Sequence, residues 1–291
     1  MTNALLEGQG IIVTGASFGL GKQVARACLQ HGASVCICSR DKKAIETAGH
    51  ELSKEAGAER VFAMQTDVSN PESAEALIRA ASQALPNLVG IVNNAGVQGP
   101  KGTLEDIQWS DWLRTVEINL FGTVLCSRAI LPVFRRRCYG KIVNLSGGGA
   151  TAPMPRMSAY AASKAAVVRF TETVALEYAD YNIDANAVAP GALNTRMLEE
   201  VLAAGPERVG KSYYDRALHQ KDAGGASISR AADLCIFLLS KQSDGISGKL
   251  ISAVWDPWES LPQRREQLQK TDIYALRRII PADRGLDWEP R

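Results

Sequence analysis

The sequence of 291 residues has almost no excess of charge of either sign. Its 33 lysines and arginines are balanced by 31 aspartates and glutamates, which leaves a formal net charge of +2. No run of five basic residues occurs, so a surface that binds the phosphates of a nucleic acid is not expected. The chain also lacks an uninterrupted apolar stretch of about 18 residues, and a membrane-spanning helix is therefore not predicted.

Cysteine and histidine are few and scattered. The chain has six cysteines and three histidines, with neither a Cys-x-x-Cys pair nor two histidines at the spacing of metal ligands. We therefore predict no metal site and expect reduced, mostly buried thiols in a cytoplasmic protein. Residues 1–7 have neither the basic start nor the long apolar run of a secretory signal peptide, and none is predicted.

Short β-branched runs alternate with longer helical patterns over the first 255 residues, with helices predicted at 21–30 and 73–85 among others. This alternation predicts one α/β domain, residues 1–255, built on a doubly wound, Rossmann-type parallel sheet of about seven strands flanked by helices. Several of the runs are apolar on both faces, as in strands that helices cover on both sides. The candidate strands are 10–13, 34–39, 60–66, 88–93, 141–145, 183–188 and 249–254.

The composition changes after Trp255. Residues 256–291 carry seven basic and seven acidic side chains, and Trp258 and Trp288 lie in this segment. We predict a C-terminal extension docked on its own or a neighbouring subunit, with a short helix capped by Asp272 and ended by Pro281. Ile273, Leu276 and Ile280 would share one face of that helix. Trp255 and Trp258 either line a pocket or anchor the extension.

A glycine-rich segment follows the first predicted strand and opens a helix. Glycines in such a turn let the backbone approach a pyrophosphate, and the helix N-terminus offers free N–H groups to the phosphates. Because the segment lies between a strand and a helix, it predicts dinucleotide binding. The residues expected to contact the cofactor here are Gly15, Ser17, Gly19, Leu20 and Gly21.

The end of the second strand favours one dinucleotide over the other. The chain has Ser39-Arg40 where a carboxylate would hold the ribose hydroxyls of NAD. An arginine can instead pair with a 2′-phosphate through two N–H groups, so NADP is predicted and NAD remains an alternative. Asp41 follows directly, and Phe18 adds no second positive charge to the glycine loop.

Tyr160 and Lys164 lie four residues apart and therefore on one face of a predicted helix. Together with the glycine loop, with Asn93-Asn94-Ala95-Gly96 and with Pro190-Gly191, this pair resembles the short-chain dehydrogenase/reductase family in its common single-domain form. The resemblance covers roughly residues 8–254.

The resemblance implies roles for individual residues. Tyr160 would be the acid/base that exchanges a proton with the substrate oxygen, and Lys164 would stabilise its phenolate and hold the nicotinamide ribose. Asn119 matches the asparagine of the family's proton relay. The further cofactor contacts implied are Asp67, Val68, Asn93, Ala95, Gly96, Pro190, Gly191 and Thr195.

One position departs from the family pattern. The family's catalytic serine aligns with Gly147, and Ser146 lies one residue early. On an extended chain Ser146 points to the opposite side, although the three glycines from Gly147 onward could let it turn inward. We keep Ser146 as a candidate catalytic residue. Ser158 is a second candidate donor, and a substrate held by its own polar groups is the third alternative.

The resulting prediction is an NAD(P)-dependent oxidoreductase that interconverts a secondary alcohol and a ketone on a small polar, carbohydrate-like substrate. Residues 197–226 are rich in hydrogen-bonding side chains and would fold over that substrate. The alternative is a non-catalytic dinucleotide-binding sensor or scaffold, which Gly147 motivates. As partners we expect only a small-molecule substrate and further copies of the chain, in a homodimer or homotetramer.

Overall fold

A computed structural model describes residues 4–288. The first three residues of the predicted domain and the last three of the predicted extension lie outside the described residues. A parallel sheet of seven strands runs through the described chain, which confirms the predicted fold class. The strands are β1 (Gly10–Thr14), β2 (Ser34–Ser39), β3 (Val61–Gln65), β4 (Leu88–Asn93), β5 (Gly140–Leu145), β6 (Ile183–Ala189) and β7 (Leu250–Ser252).

The strand order is β3-β2-β1-β4-β5-β6-β7, so the winding direction reverses between β1 and β4. In open parallel sheets, ligands bind at the carboxyl ends of the strands beside such a reversal. The predicted strand bounds agree with the structure to within two residues. The last strand is shorter than predicted because Ser252 starts a turn, in which the Asp256 carboxylate accepts a hydrogen bond from the Ser252 N–H at 2.7 Å.

Helices cover both faces of the sheet. Ile11 and Val13 of β1 face one buried cluster, and Ile12 between them faces the other, as the alternation of a strand requires. The helices are α1 (Gly19–Gln30), α2 (Lys42–Ala56), α3 (Pro71–Ala84), α4 (Trp109–Val116), α5 (Gly122–Arg137), α6 (Ser158–Glu177), α7 (Arg196–Val209), α8 (Lys211–Ala223), α9 (Ile228–Leu239) and α10 (Arg265–Lys270). Short 3₁₀ turns lie at Ala58–Arg60, Gly148–Ala150, Ala179–Tyr181, Lys241–Ser243, Trp258–Arg264 and Pro281–Arg284.

A π turn, Glu117–Phe121, joins α4 to α5 in one continuous helical stretch, Trp109–Arg137. By length and composition alone this stretch could cross a membrane, with a mean hydropathy of 1.4 in its most apolar window. This is weak evidence for a span because core helices of water-soluble proteins pass the same test. Here Cys126, Ile130 and Phe134 are fully buried in the cluster against the sheet.

The prediction of a helix at residues 272–280 is wrong. Residues 272–280 have no helical conformation, and Tyr274 adopts a left-handed backbone with φ 62°. The backbone groups that a helix would use internally are bonded elsewhere, because the Tyr274 carbonyl accepts from Leu250 of β7 and the Leu276 N–H donates to Glu172 of α6. Pro281 begins a 3₁₀ turn and does not end a helix, in keeping with its preference for first helical positions. The division of the chain at residue 255 stays a prediction.

Candidate active site

A cavity of about 1720 Å³ opens at the carboxyl ends of the strands. Its walls come from the loops that follow the strands and from α7 and α8, which lie over one side. This is where a doubly wound sheet places its ligand. The predicted residues that line the cavity are Gly15, Ser17, Gly19, Leu20, Gly21, Ser39, Arg40, Val68, Ala95, Gly96, Ser146, Tyr160, Lys164, Pro190, Gly191 and Thr195.

The glycine loop forms a cradle of the kind a dinucleotide needs. A Cβ at Gly15 would lie 2.7 Å from the Ala95 Cα, and one at Gly21 would lie 2.5 Å from the Gly15 carbonyl oxygen. These two glycines therefore allow close packing of the strand, the loop and α1. Gly19, with φ 58°, faces the cavity, since a Cβ there would have no neighbour closer than 4.0 Å. The residues present thus fit the pyrophosphate of a nicotinamide dinucleotide.

Asn94 fixes the base of this cradle, a role that sequence reasoning missed. Its side-chain amide donates to the carbonyl oxygens of Thr14 and Gly15, each at 3.0 Å. The Thr14 hydroxyl accepts in return from the N–H groups of Asn94 and Ala95, also at 3.0 Å. The Asn-Asn pair at the end of β4 marks this position in the sequence, but only its first residue is predicted as a cofactor contact.

Asn93, which the family resemblance implies as a cofactor contact, points away from the cavity. Its side chain is buried and donates to the Ser127 hydroxyl at 3.1 Å and to the Asn144 side-chain oxygen at 2.8 Å. Asn144 donates onward to Thr171 of α6 at 2.9 Å. In the structure Asn93 therefore ties β4 to β5, α5 and α6, and its role in cofactor binding stays a prediction.

Arg40, the residue after β2, is exposed and lines the cavity, and within residues 4–288 no carboxylate lies in ion-pair range of it. Asp41, which could have neutralised it, accepts a hydrogen bond from the Ala44 N–H at 2.9 Å and caps α2. Asp67 does not line the cavity. Its carboxylate pairs with Arg114 at 2.9 Å and accepts from Ser69, and these contacts together lower the pKa of Asp67 despite partial burial.

A second cation lies beside the glycine loop. The guanidinium of Arg196, at the first position of α7, stacks over the Phe18 ring at 5.5 Å from its centroid, and both residues line the cavity. The two residues are 178 positions apart in the chain, so no local sequence pattern could predict this contact. The preceding residue, Thr195, was predicted to contact the nicotinamide.

Tyr160 and Lys164 face the cavity from one side of α6. The Lys164 ammonium lies 5.9 Å from the centroid of the Tyr160 ring and donates to the Leu145 carbonyl at 2.8 Å. Burial lowers the pKa of Lys164 to about 8 because the charged form loses water. Burial likewise raises the pKa of Tyr160 to about 12, and the nearby Tyr213 phenol adds to the rise.

Asn119 lies in the π turn, fully buried, and does not line the cavity. Its side chain accepts from the Val97 N–H at 2.8 Å and donates to the Val97 carbonyl at 2.9 Å and to the Ser163 hydroxyl at 3.0 Å. A Cβ at Gly96 would lie 3.1 Å from the Asn119 oxygen and 3.4 Å from the Lys164 nitrogen. Asn119 therefore fixes the loop after β4 against α6, next to Lys164. π turns occur frequently at functional sites.

The hydroxyls of the two candidate serines are hydrogen-bonded to other groups of the protein. Ser146 is buried, and its hydroxyl donates to the Lys164 carbonyl at 3.2 Å. Ser158 accepts from the Trp112 indole at 3.1 Å and does not line the cavity. Gly147 lies directly beside the Tyr160 phenol, since a Cβ at Gly147 would be 2.7 Å from the Tyr160 oxygen. A catalytic role for Ser146 stays a prediction.

The remaining wall is polar. Tyr213 and Arg216 of α8 line the cavity, with the Arg216 guanidinium 5.6 Å from the Tyr213 ring centroid. Arg156 also lines the cavity and donates to the Glu207 carbonyl of α7 at 2.7 Å. Trp255, 84% exposed, and Asp256 complete the wall near β7.

A model of the short chain dehydrogenase family matches residues 9–205. The chain belongs to this family. Among curated members, it is 32% identical over 250 residues to 2-(S)-hydroxypropyl-CoM dehydrogenase 3 of Xanthobacter autotrophicus, covering 84% of this chain and 94% of that relative. Members of the family bind a nicotinamide dinucleotide and interconvert alcohols and ketones, so this chain is an oxidoreductase of that general kind.

Two solved structures of family members align over most of the chain. The structure of levodione reductase has a TM-score of 0.78 and 26% identity, and the alignment covers 88% of this chain and 99% of that one. A gluconate 5-dehydrogenase of Burkholderia cenocepacia, in complex with NADP and tartrate, has a TM-score of 0.75 and 25% identity. That alignment covers 86% of this chain and 95% of the gluconate enzyme.

Proposed function

We propose that this chain is an NADP-dependent dehydrogenase/reductase that interconverts a secondary alcohol and a ketone on a small polar substrate. The observation that carries the proposal is the pair Tyr160 and Lys164, held together on α6 at the wall of a cavity that also contains the glycine cradle. A phenol with an ammonium group beside it is suited to move a proton to or from a substrate oxygen.

In this proposal Tyr160 gives its proton to the carbonyl oxygen during reduction and takes a proton from the alcohol during oxidation. The bound nicotinamide supplies the hydride in one direction and accepts it in the other. A phenol with a pKa of about 12 is a weak base at neutral pH. In this proposal the Lys164 ammonium stabilises the phenolate that forms when the proton leaves Tyr160. Asn119 acts at a distance, by holding the loop that packs against Lys164.

The preference for NADP is supported by Arg40. This residue is exposed and lines the cavity, and the carboxylate of the adjacent Asp41 is used to cap α2. Arg40 is therefore available to pair with a 2′-phosphate. An NADP-bound relative is consistent with this choice.

The polar wall supports a substrate with several hydrogen-bonding groups. Tyr213, Arg216 and Arg156 line the same cavity as Tyr160, and Gly147 contributes no side chain beside the Tyr160 phenol. The gluconate 5-dehydrogenase among the structural relatives acts on a polar sugar acid, as its name states. We extend this class, small polyhydroxy or hydroxy-acid compounds, to the present chain.

A second candidate function is a dinucleotide-binding sensor or scaffold without catalysis. Gly147 favours it, because removing one donor from an oxyanion-type site typically costs about 100- to 1,000-fold in rate. Retention of Tyr160 and Lys164 in contact with the cavity favours catalysis.

The first experiment is a fluorescence titration of the protein with NADPH and NADH, followed by a screen of small polar ketones for NADPH oxidation. Tighter binding of NADPH together with turnover of at least one ketone supports the proposal. Tight NADPH binding without turnover of any ketone, and without oxidation of the matching alcohols by NADP⁺, would favour the sensor.

We also propose that the chain forms a homo-oligomer. Trp109, Leu113 and Phe121, on α4 and the π turn, are exposed by 67%, 37% and 46%. Exposed apolar side chains that occur together on one stretch of surface are typical of protein–protein interfaces. We call these three residues the α4 apolar surface. A cytoplasmic location, expected from the unpaired cysteines, stays a prediction.

A further inference from the structure

The C-terminal extension follows the edge of the sheet. After α10 the chain turns back along β7, the last strand in the sheet order. The Leu250 N–H of β7 donates to the Tyr274 carbonyl at 2.8 Å, and the Lys249 ammonium donates to the Thr271 carbonyl at 3.0 Å. Residues 271–276, which we call the tail brace, therefore cover an edge that would otherwise present unpaired backbone groups.

The brace is also fixed to α6 at a single residue. The Leu276 N–H donates to the Glu172 carboxylate at 2.6 Å, and the Leu276 carbonyl accepts from Arg169. Arg169 and Glu172 form an ion pair at 2.7 Å, and Glu172 is only 7% exposed. Both backbone groups of Leu276 are thus bound by the helix that carries Tyr160 and Lys164.

The Leu276 side chain makes a further contact, on the side of the active site. It packs against a buried cluster formed by Ala150, Val168 and Ala187. Ala150 ends the 3₁₀ turn that begins directly after Gly147, the residue next to the Tyr160 phenol. The turn has little room to move, since a Cβ at Gly149 would lie 2.9 Å from the Ala161 Cα.

A second contact reaches the opposite wall. The Tyr274 phenol lies near the Asp256 carboxylate: burial and then the charge of Asp256 raise the pKa of Tyr274. Asp256 lines the cavity and accepts from the Ser252 N–H at 2.7 Å. Trp255 lies in the same turn. The tail brace therefore contacts both the buried cluster that includes the turn beside Tyr160 and the turn that ends β7.

From these contacts we infer that the tail brace positions the substrate half of the active site, with Leu276 and Tyr274 as its positioning residues. The inference rests on the proposed function, because it assigns the turn beside Tyr160 to the reacting end of the cavity. Within the described residues, no hydrogen bond or ion pair joins the glycine cradle or Arg40 to residues 271–276, so cofactor binding should be independent of the brace.

The test compares Leu276→Ala with Ile279→Ala. Both remove an apolar side chain from the C-terminal extension, but Ile279 lies outside the tail brace and is 58% exposed. Hydrogen exchange is measured over peptides that contain residues 147–150, 252–256 and 10–21. We expect Leu276→Ala to raise exchange at residues 147–150 and to leave residues 10–21 and the Kd for NADPH unchanged within twofold. Ile279→Ala should match the wild type throughout.

Activity gives the second readout. A small displacement of reacting groups can cost on the order of 100-fold, so we expect kcat of Leu276→Ala to fall roughly 10- to 100-fold. Leu276→Met, which keeps the side-chain volume, should restore most of it. Tyr274→Phe removes only the hydroxyl and should mainly raise KM, because Asp256 belongs to the cavity wall.

Two results would overturn the inference. One is unchanged exchange at residues 147–150 together with unchanged kcat, with only Tm lowered, since the brace would then merely cover the sheet edge. The other is a uniform rise in exchange in all peptides, including residues 10–21, for Leu276→Ala and for the milder Leu276→Val. Because exchange needs no substrate, a wild type that turns over no ketone would overturn the proposed function without deciding this test.

Discussion

Gly147 lies so close to Tyr160 that a Cβ at residue 147 would be 2.7 Å from the phenol oxygen. The backbone of Gly147 is extended, with φ 177° and ψ 175°, a conformation that any residue can adopt. The absence of a side chain therefore matters for the space beside the reactive group and not for the backbone. The Ser146 hydroxyl donates to the Lys164 carbonyl and the Ser158 hydroxyl accepts from the Trp112 indole, so neither is hydrogen-bonded to the Tyr160 phenol in the structure.

This relationship predicts different effects of a methyl group and a hydroxymethyl group at residue 147. Gly147→Ala should lower kcat by roughly tenfold, because the new Cβ displaces the Tyr160 phenol from its reacting position. Gly147→Ser adds the same Cβ with a donor for the substrate oxygen, so it should be faster than the alanine variant. Steady-state kinetics on the two proteins decides the matter. Equal rates for Gly147→Ala and the wild type would show that the phenol has room to spare.

The exposed guanidinium of Arg40 predicts a selective loss of NADPH affinity. A hydrogen bond to a charged group contributes about 1.5–3 kcal/mol, so Arg40→Ala should raise the Kd for NADPH by roughly 10- to 100-fold. The Kd for NADH should change less than twofold. Lys42→Ala is the matched control, since Lys42 is exposed nearby but does not line the cavity. Fluorescence titration measures the Kd values of the three proteins for NADPH and NADH, and a wild type that binds NADH more tightly would contradict the assignment.

The buried ammonium of Lys164 predicts a pH-dependent stability. Its pKa of about 8 lies below the value of about 10.4 for an unfolded lysine, so the folded protein binds fewer protons between these limits. Stability should therefore rise with pH across this window, and the full destabilisation by the buried charge is present below pH 8. Lys164→Met should have a higher Tm than the wild type at pH 7, with an advantage that shrinks toward pH 10, and should lack turnover.

Thermal unfolding of Lys164→Met and of Lys54→Met, at pH 7 and pH 9.5, checks this prediction. Lys54 is exposed on α2, so its variant should show no such dependence. A lower Tm for Lys164→Met at pH 7 would mean that the hydrogen bond to Leu145 outweighs the burial of the charge.

The α4 apolar surface predicts a specific effect on assembly. If a second copy covers Phe121, then Phe121→Glu places a charge in a dry interface and should convert the oligomer to monomer. Light scattering after size-exclusion chromatography gives the mass. Leu286→Glu is the control, because Leu286 is also half exposed but lies in the extension. Dissociation of the Leu286 variant alone would assign the interface to the extension instead.

The sequence predicted best those features that depend on short-range pattern. The alternation of strands and helices, the glycine loop before α1, and Tyr160 and Lys164 at a spacing of four all follow from neighbours in the chain. The structure confirms the sheet, and it brings these residues to one cavity.

The features that sequence reasoning missed depend on contacts between distant residues. Asn94 bonds to Thr14 and Gly15, some 80 residues away, and nothing in the Asn-Asn pair says which side chain turns to the glycine loop. The helix predicted at 272–280 had a suitable cap and apolar spacing. It does not form because Glu172, 104 residues earlier, and β7 bind the same backbone groups. Local propensity is readily overridden by such tertiary contacts.

The most direct test of the account replaces the phenol hydroxyl of Tyr160. Tyr160→Phe and the wild type are compared for NADPH oxidation with the best ketone from the screen, and for NADPH binding by fluorescence. If Tyr160 is the acid/base, its substitution leaves the Kd for NADPH unchanged and lowers kcat roughly 100- to 10,000-fold, the usual contribution of a positioned acid/base. Turnover by Tyr160→Phe at the wild-type rate would contradict the role of Tyr160 and, with it, the proposed mechanism.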